Sequence, residues 1–243
     1  MKINFSGKRI LILGGTCELA LYLSKSLIDS GLFPILTFRS SSGKSLIHDY
    51  LKNFNGKYEA IYFDLGNKAL IDNINNDLDY LVDFAQSNLE DLIAFAEHDD
   101  VANFFFENVS VRAEVLKNIS RVMLLKKRGR MIFISSSAAV RINSGQGFYS
   151  AAKLACEAIY RSIGIELGSR GITTVTLRLG YIDSGRGKEY LKDKNQEVIK
   201  MIPIERLLNI EEVSATILFL LSDNAFSLNA TEIVMDGGLC AKK

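Results

Sequence analysis

The chain has 243 residues, 48% of them apolar and 23% charged, enough to bury a sizeable core in one large α/β domain or two small ones. A formal net charge of +1 argues against the basic footprint of a nucleic-acid or membrane-surface binder, and no apolar run reaches membrane-spanning length. Cys17, Cys156 and Cys240 read as reduced thiols, and the opening "MKINFSGKRILILGG" lacks a signal peptide's pattern, so a cytoplasmic location is expected. With His48 and His98 the only histidines, and no Cys-x-x-Cys pair, no metal site is expected.

In chain order, "RILIL" (9–13) predicts a buried strand, and "CELALYLSKSLIDSG" (17–31) predicts a helix closed by Gly31. Strands follow at "PILTF" (34–38), "AIYF" (60–63) and "YLVDF" (80–84), separated by helical patterns around "SLIHDYLKN" and "ALIDNINND". A long helix over about 100–127 precedes the strand "RMIFI" (130–134). A helix over about 149–168, the strand "TTVTLR" (173–178), a helix near 210–222 and the strand "EIVM" (232–235) complete the pattern. Repeated β-α-β units with short apolar strands imply a seven-stranded parallel sheet covered by helices on both faces, a doubly wound, Rossmann-type α/β fold. No linker, repeat or Gly/Ser tract divides the chain, so residues 1–243 are expected to form a single domain.

Ligands of such sheets sit beyond the carboxyl ends of the strands, near the point where strand order reverses. After the first strand comes "GGTCELA", where Gly14 and Gly15 permit a sharp turn and the following helix offers unpaired N–H groups to a phosphate. A glycine pair is also ordinary turn punctuation. In "GQGFYSAAK" (145–153), Tyr149 and Lys153 lie four apart on one helical face; they either converge on one spot or form a packed ring beneath a snorkelling lysine.

Taken in order, these segments resemble the short-chain dehydrogenase/reductase family almost from end to end. The early Thr-Gly-x-x-x-Gly-x-Gly aligns with Leu13, Gly14, Glu18 and Ala20, so only its first glycine is kept. Asp64 in "FDLGN" matches the family's adenine-contacting aspartate. The Asn-Asn-Ala-Gly segment aligns with Asp83, Phe84, Ala85 and Gln86. Asn108 falls at the active-site asparagine, "GRMIFISSS" places the active-site serine at Ser136, and Tyr149 and Lys153 complete Tyr-x-x-x-Lys. "RLGYIDS" stands at Pro-Gly-x-x-x-Thr, with Leu179 replacing proline, Gly180 kept and Ser184 replacing threonine; "DGGL" matches the terminal motif.

The resemblance implies carbonyl reduction by hydride transfer. Tyr149 is then the proton donor, Lys153 its electrostatic tuner and a partner of the nicotinamide ribose, Ser136 the holder of the substrate oxygen, and Asn108 the anchor of a water leading from Lys153 to solvent. It further implies a dinucleotide held by Gly14, Thr16, Leu19, Asp64, Leu65, Ala85, Gly180, Ile182 and Ser184, with Tyr149 and Lys153. At the end of the second strand, "LTFRSSSGK" carries Arg39 and no carboxylate; a guanidinium suits a 2′-phosphate, with Ser40 or Ser41 adding hydrogen bonds and Lys44 a further candidate. The expected cofactor is therefore NADPH. Glu18 stands where a carboxylate would repel a pyrophosphate. It either points away and caps the helix, or dinucleotide binding is impaired and the chain is a non-catalytic partner subunit.

The overall pattern resembles 3-oxoacyl-acyl-carrier-protein reductases. That implies a β-ketoacyl thioester substrate in fatty-acid or polyketide biosynthesis, with another small ketone or alcohol as the alternative. Residues 184–201 are expected to form a mobile lid whose Arg186, Lys188, Lys192 and Lys194 either meet an acidic carrier protein or are simply solvated. Family members assemble through the helices at about 100–127 and 149–168, which implies a homodimer or homotetramer, or a hetero-oligomer with a homologous subunit. The small residues of "SAAKLACEA" suit such an interface or packing against the chain's own sheet.

Overall fold

The computed structural model describes residues 3–66, 77–185, 191 and 195–242. Seven parallel strands, β1 (Arg9–Leu13), β2 (Phe33–Phe38), β3 (Glu59–Tyr62), β4 (Tyr80–Asp83), β5 (Gly129–Ser136), β6 (Ile172–Leu179) and β7 (Thr231–Met235), form one sheet in the order β3-β2-β1-β4-β5-β6-β7. Seven helices are described: α1 (Glu18–Asp29), α2 (Ser41–Tyr50), α3 (His98–Phe105), α4 (Arg112–Lys126), α5 (Gly147–Leu167), α6 (Asn195–Met201) and α7 (Ile210–Leu221). The doubly wound α/β architecture read from the sequence is the one observed. Most of the expected helix at "ALIDNINND", and Arg186, Lys188, Lys192 and Lys194 of the expected lid, lie outside the described residues.

The strands are apolar on both faces because helices cover both. Ile10 and Ile12 of β1 join Ile132 of β5, Leu23 and Leu27 of α1 and Val213 and Ile217 of α7 in one core layer. Their neighbours Leu11 and Leu13 point the other way, to Met131 and Phe133 of β5, Val115 and Ile119 of α4 and Tyr160 of α5. Helix ends follow local chemistry. Gly31, at φ +82°, closes α1, and Asn209 with Glu212 forms a reciprocal capping box that starts α7.

The helix expected over about 100–127 is interrupted. Between α3 and α4, Phe106–Val111 form a π-helical turn. The Asn108 side-chain amide donates to the Phe104 carbonyl (2.8 Å), and the Arg112 guanidinium donates to the Asn108 carbonyl, so side chains occupy acceptors that regular helix bonds would use. The result turns Asn108 inward, fully buried.

Register fixes the site. Leu13 pairs with Asp83 and Ser136 with Leu179, so the segments after β1, β4, β5 and β6 leave the sheet side by side at its carboxyl edge. Strand order reverses between β1 and β4, and the cleft opens there.

Candidate active site

The turn after β1 lies against the segment after β4. Gly14 has φ +74°, and a Cβ there would come within 2.9 Å of the Ala85 nitrogen. Its N–H donates to the Thr37 hydroxyl of β2 (2.9 Å), which ties the turn to the neighbouring strand. The one glycine retained from the early motif thus has no room for a side chain.

From this turn a cleft of about 470 Å³ runs along the sheet edge to α5. It is lined by Gly14, Thr16, Glu18 and Leu19 after β1, and by Arg39 after β2. Asp64 and Leu65 follow β3, Ala85 follows β4, and Ser136 ends β5. Tyr149 and Lys153 on α5, with Gly180, Ile182 and Ser184 after β6, complete the wall. Residues as far apart in sequence as Gly14 and Ser184 therefore meet in one concavity. Ser40 and Asn108 lie outside this lining.

At the α5 end, Lys153 is buried and donates to the Ile134 carbonyl (2.8 Å), which pins its ammonium beneath β5. That ammonium lies 5.6 Å from the centre of the Tyr149 ring and 4.8 Å from that of Phe133. Ser136 accepts a hydrogen bond from the Ala138 N–H (3.1 Å), which orients the hydroxyl and leaves its O–H to donate. Asn108 stands one layer behind. Its Oδ1 accepts from the Ser87 N–H (3.0 Å), its amide donates to the Ser87 hydroxyl and the Phe104 carbonyl, and its own carbonyl accepts from Arg112 and Cys156. Both amide donors are engaged, so the contact Asn108 makes with the cleft runs through the Ser87 wall.

At the β1–α1 end, Arg39 is exposed on the rim of the cleft. The Ser40 hydroxyl is engaged elsewhere, capping α2 by accepting from the Gly43 N–H (3.1 Å). Ser41 begins that helix, and the Lys44 ammonium sits 5.9 Å from the centre of the Phe38 ring. Glu18 does not cap α1. Cys17 holds the cap position, its side chain making no capping bond to the helix, and Glu18 lines the cleft, where Oε2 accepts from the Gly185 N–H (3.0 Å). The physical reason is reach: a first-turn carboxylate can extend to a donor on the loop after β6 instead of folding back on its own helix.

Phe84, Gln86, Ser87, Glu90 and Glu107 also line the cleft. Sequence reasoning did not single them out as functional, although position just beyond β4, or beside Asn108, was a usable signal. Gly14, which allows the backbones to meet, Arg39 at the rim and the open start of α1 suit a dinucleotide phosphate; Glu18, in the first turn of α1, is the carboxylate at that helix start and opposes it.

This fold and cleft have the architecture of a dinucleotide-binding domain. Residues 66–240 match the family model described as enoyl-(acyl carrier protein) reductase, and the chain belongs to that family within the short-chain dehydrogenases/reductases. It is 27% identical over 241 residues to the 3-oxoacyl-(acyl-carrier-protein) reductase FabG of Salmonella typhimurium, covering 98% of this chain and 99% of that one. The FabG of Escherichia coli K12 is likewise 27% identical, over 244 residues, with the same coverage. A solved short chain dehydrogenase/reductase family protein superposes with a TM-score of 0.87 at 22% identity, covering 99% of this chain and all of that one.

Proposed function

We propose that this protein is an NADPH-dependent reductase that converts a β-ketoacyl thioester, carried on acyl-carrier protein or a related thiol, to the 3-hydroxyacyl form. The observation that carries the reading is the convergence of Ser136, Tyr149 and Lys153 at one end of a cleft whose other end presents Gly14 and Arg39. The full-length similarity to FabG supports the substrate class.

The cofactor, when bound, supplies the hydride. The side chains then divide the remaining chemistry. A carbonyl that receives hydride develops negative charge on oxygen, and Ser136 donates to that oxygen as it forms. Tyr149 delivers the proton. A phenol ordinarily ionises near pH ~10, and the Lys153 ammonium favours the phenolate, which brings donation and recovery within reach of neutral pH. The Ile134 carbonyl keeps that ammonium in place. Asn108 holds the wall at Ser87, and its expected role, anchoring a water between Lys153 and solvent, does not require it to touch the reacting atoms.

A second reading has its own observation. Glu18 in the cleft wall favours a non-catalytic partner subunit with impaired dinucleotide binding. Assembly as a homodimer or homotetramer, or with a homologous subunit, belongs to the same proposal: Ala152 and Cys156 of α5 pack against the chain's own sheet, while Ala151, Leu154 and Ala158 remain exposed on its outer face. The deciding assay follows NADPH oxidation against acetoacetyl thioesters and a panel of free ketones. Turnover confined to thioesters supports the proposal. Preference for a free ketone moves the chain to the alternative substrate class, and absence of any turnover favours the partner-subunit reading.

A further inference from the structure

Behind the cleft lies a polar cluster that the reaction scheme does not use. Asp83, at the end of β4, and Arg112, at the start of α4, are both fully buried and form an ion pair (Nε to Oδ2, 2.8 Å). Asp83 is otherwise saturated: Oδ2 accepts from the Tyr160 hydroxyl (2.9 Å) and Oδ1 from the Ala85 N–H (3.0 Å). Arg112 donates to the Ala85 and Asn108 carbonyls and reaches the Cys156 sulfur at 3.3 Å. One pair of charges thus ties together the β4 exit, the π turn and α5.

The cluster also reaches Lys153, through the Phe133 ring. The Phe133 ring stacks on Tyr160 with centres 4.9 Å apart; the Arg112 guanidinium carbon lies 5.5 Å from the Phe133 ring centre and the Lys153 ammonium 4.8 Å from it. Two cations therefore share one ring in the interior, where charges interact strongly. Burial opposes charge on Arg112 and Asp83 outweighs it, so the guanidinium stays cationic; burial and the same carboxylate push the Tyr160 phenol well above its usual range, so it stays a donor. Burial likewise raises the Cys156 thiol, which donates to the Asn108 carbonyl.

We propose that Asp83 and Arg112 act as a positioning pair for the Tyr149–Lys153 acid: they hold the Ala85 and Asn108 backbones in place, and Asp83 cancels the cation that would otherwise sit beneath Lys153. Without Asp83, the guanidinium disfavours the ammonium and favours the phenolate, so Tyr149 ionises at lower pH. Among the described residues the other ionisable groups facing the cleft are Cys17, Glu18, Arg39, Asp64, Glu90, Glu107 and Tyr181, and the test leaves them all in place.

The inference rests on the reductase reading of Tyr149 and is tested first without turnover. Ultraviolet titration of the apo protein, minus the same titration of Tyr149→Phe, isolates one phenol among the nine tyrosines. In Asp83→Asn its midpoint should fall by about one pH unit, and the alkaline limb of kcat/KM for reduction should move with it. In the charge-neutral double variant Asp83→Asn/Arg112→Gln both should return to the wild-type position. Tyr160→Phe, which removes a hydrogen bond but no charge, should leave them unmoved. Where Asp83→Asn fails to fold, Arg112→Gln reads the same coupling with the opposite sign, as a rise. An unmoved midpoint, or a shift that persists in the double variant, overturns the pair's role. A wild-type Tyr149 that titrates like an ordinary tyrosine instead overturns the general-acid reading itself.

Discussion

At the β5–α5 end of the cleft, Ser136, Tyr149 and Lys153 keep the residue types and spacing of the family; at the β1–α1 end, Leu13, Glu18 and Ala20 replace three of the four residues of its motif. Both ends nevertheless line one continuous cavity. The difference follows from which atoms each end must supply. In the proposed mechanism the proton comes from one O–H held beside one ammonium, so residue type matters at both positions. A phosphate seat is built from backbone N–H groups at a helix start, which almost any residue can present. Gly14 and Gly15 are the constrained residues there: the left-handed backbone of Gly14 and its contact with Ala85 exclude a side chain, and a Cβ on Gly15 would meet Leu36 and the Thr37 nitrogen.

The largest effect should come from the constrained end. Tyr149→Phe removes the proton donor and nothing else, so ketone reduction should fall about 10³-fold while NADPH affinity stays within a small factor, read by initial rates and by fluorescence titration. Retained turnover would erase the contrast between the two ends. The permissive end should respond in selectivity instead. Arg39→Asp should reverse the preference from NADPH to NADH, a change of about tenfold to a hundredfold in the ratio of kcat/KM values. Equal use of both cofactors by the wild type would remove Arg39 from the account.

A smaller gain is expected at Glu18. Substitution to Gln removes a carboxylate from the cleft wall and should tighten NADPH binding about threefold to tenfold at low salt, the gain shrinking as salt is raised. Weaker binding in that variant would mean the Gly185 contact organises the site rather than opposing its ligand. Smallest of all is Ser40→Ala. It should leave cofactor preference unchanged and cost about 1 kcal/mol of stability, measured by urea unfolding, because the hydroxyl caps α2.

The fold was legible because each strand announces itself as a short apolar run and each crossover as a longer amphipathic one. Ile10–Leu13 of "RILIL" and all of "RMIFI" are buried for the reason their composition suggests: helices lie on both faces. The members of the cleft were legible where a residue type at fixed spacing carries the chemistry, as with Tyr149 and Lys153. Pairings across sequence were not. Asp83 and Arg112 are 29 residues apart, and nothing in either segment names the other. The π turn escaped because the periodicity of 98–126 is helical throughout; the break comes from side-chain bonds of Asn108 and Arg112 to backbone carbonyls. Ser40 was placed by its position after the second strand and Glu18 by its place in the aligned motif; their side chains accept from the Gly43 and Gly185 N–H groups.

Fluorescence titration of NADPH into the wild-type protein tests most directly whether the altered turn after β1 still seats a dinucleotide beside the tyrosine. Saturable binding in the micromolar range, at least tenfold tighter than for NADH, is the predicted result. A protein that leaves NADPH fluorescence unchanged at millimolar concentration would contradict the account and make the chain a partner rather than an enzyme.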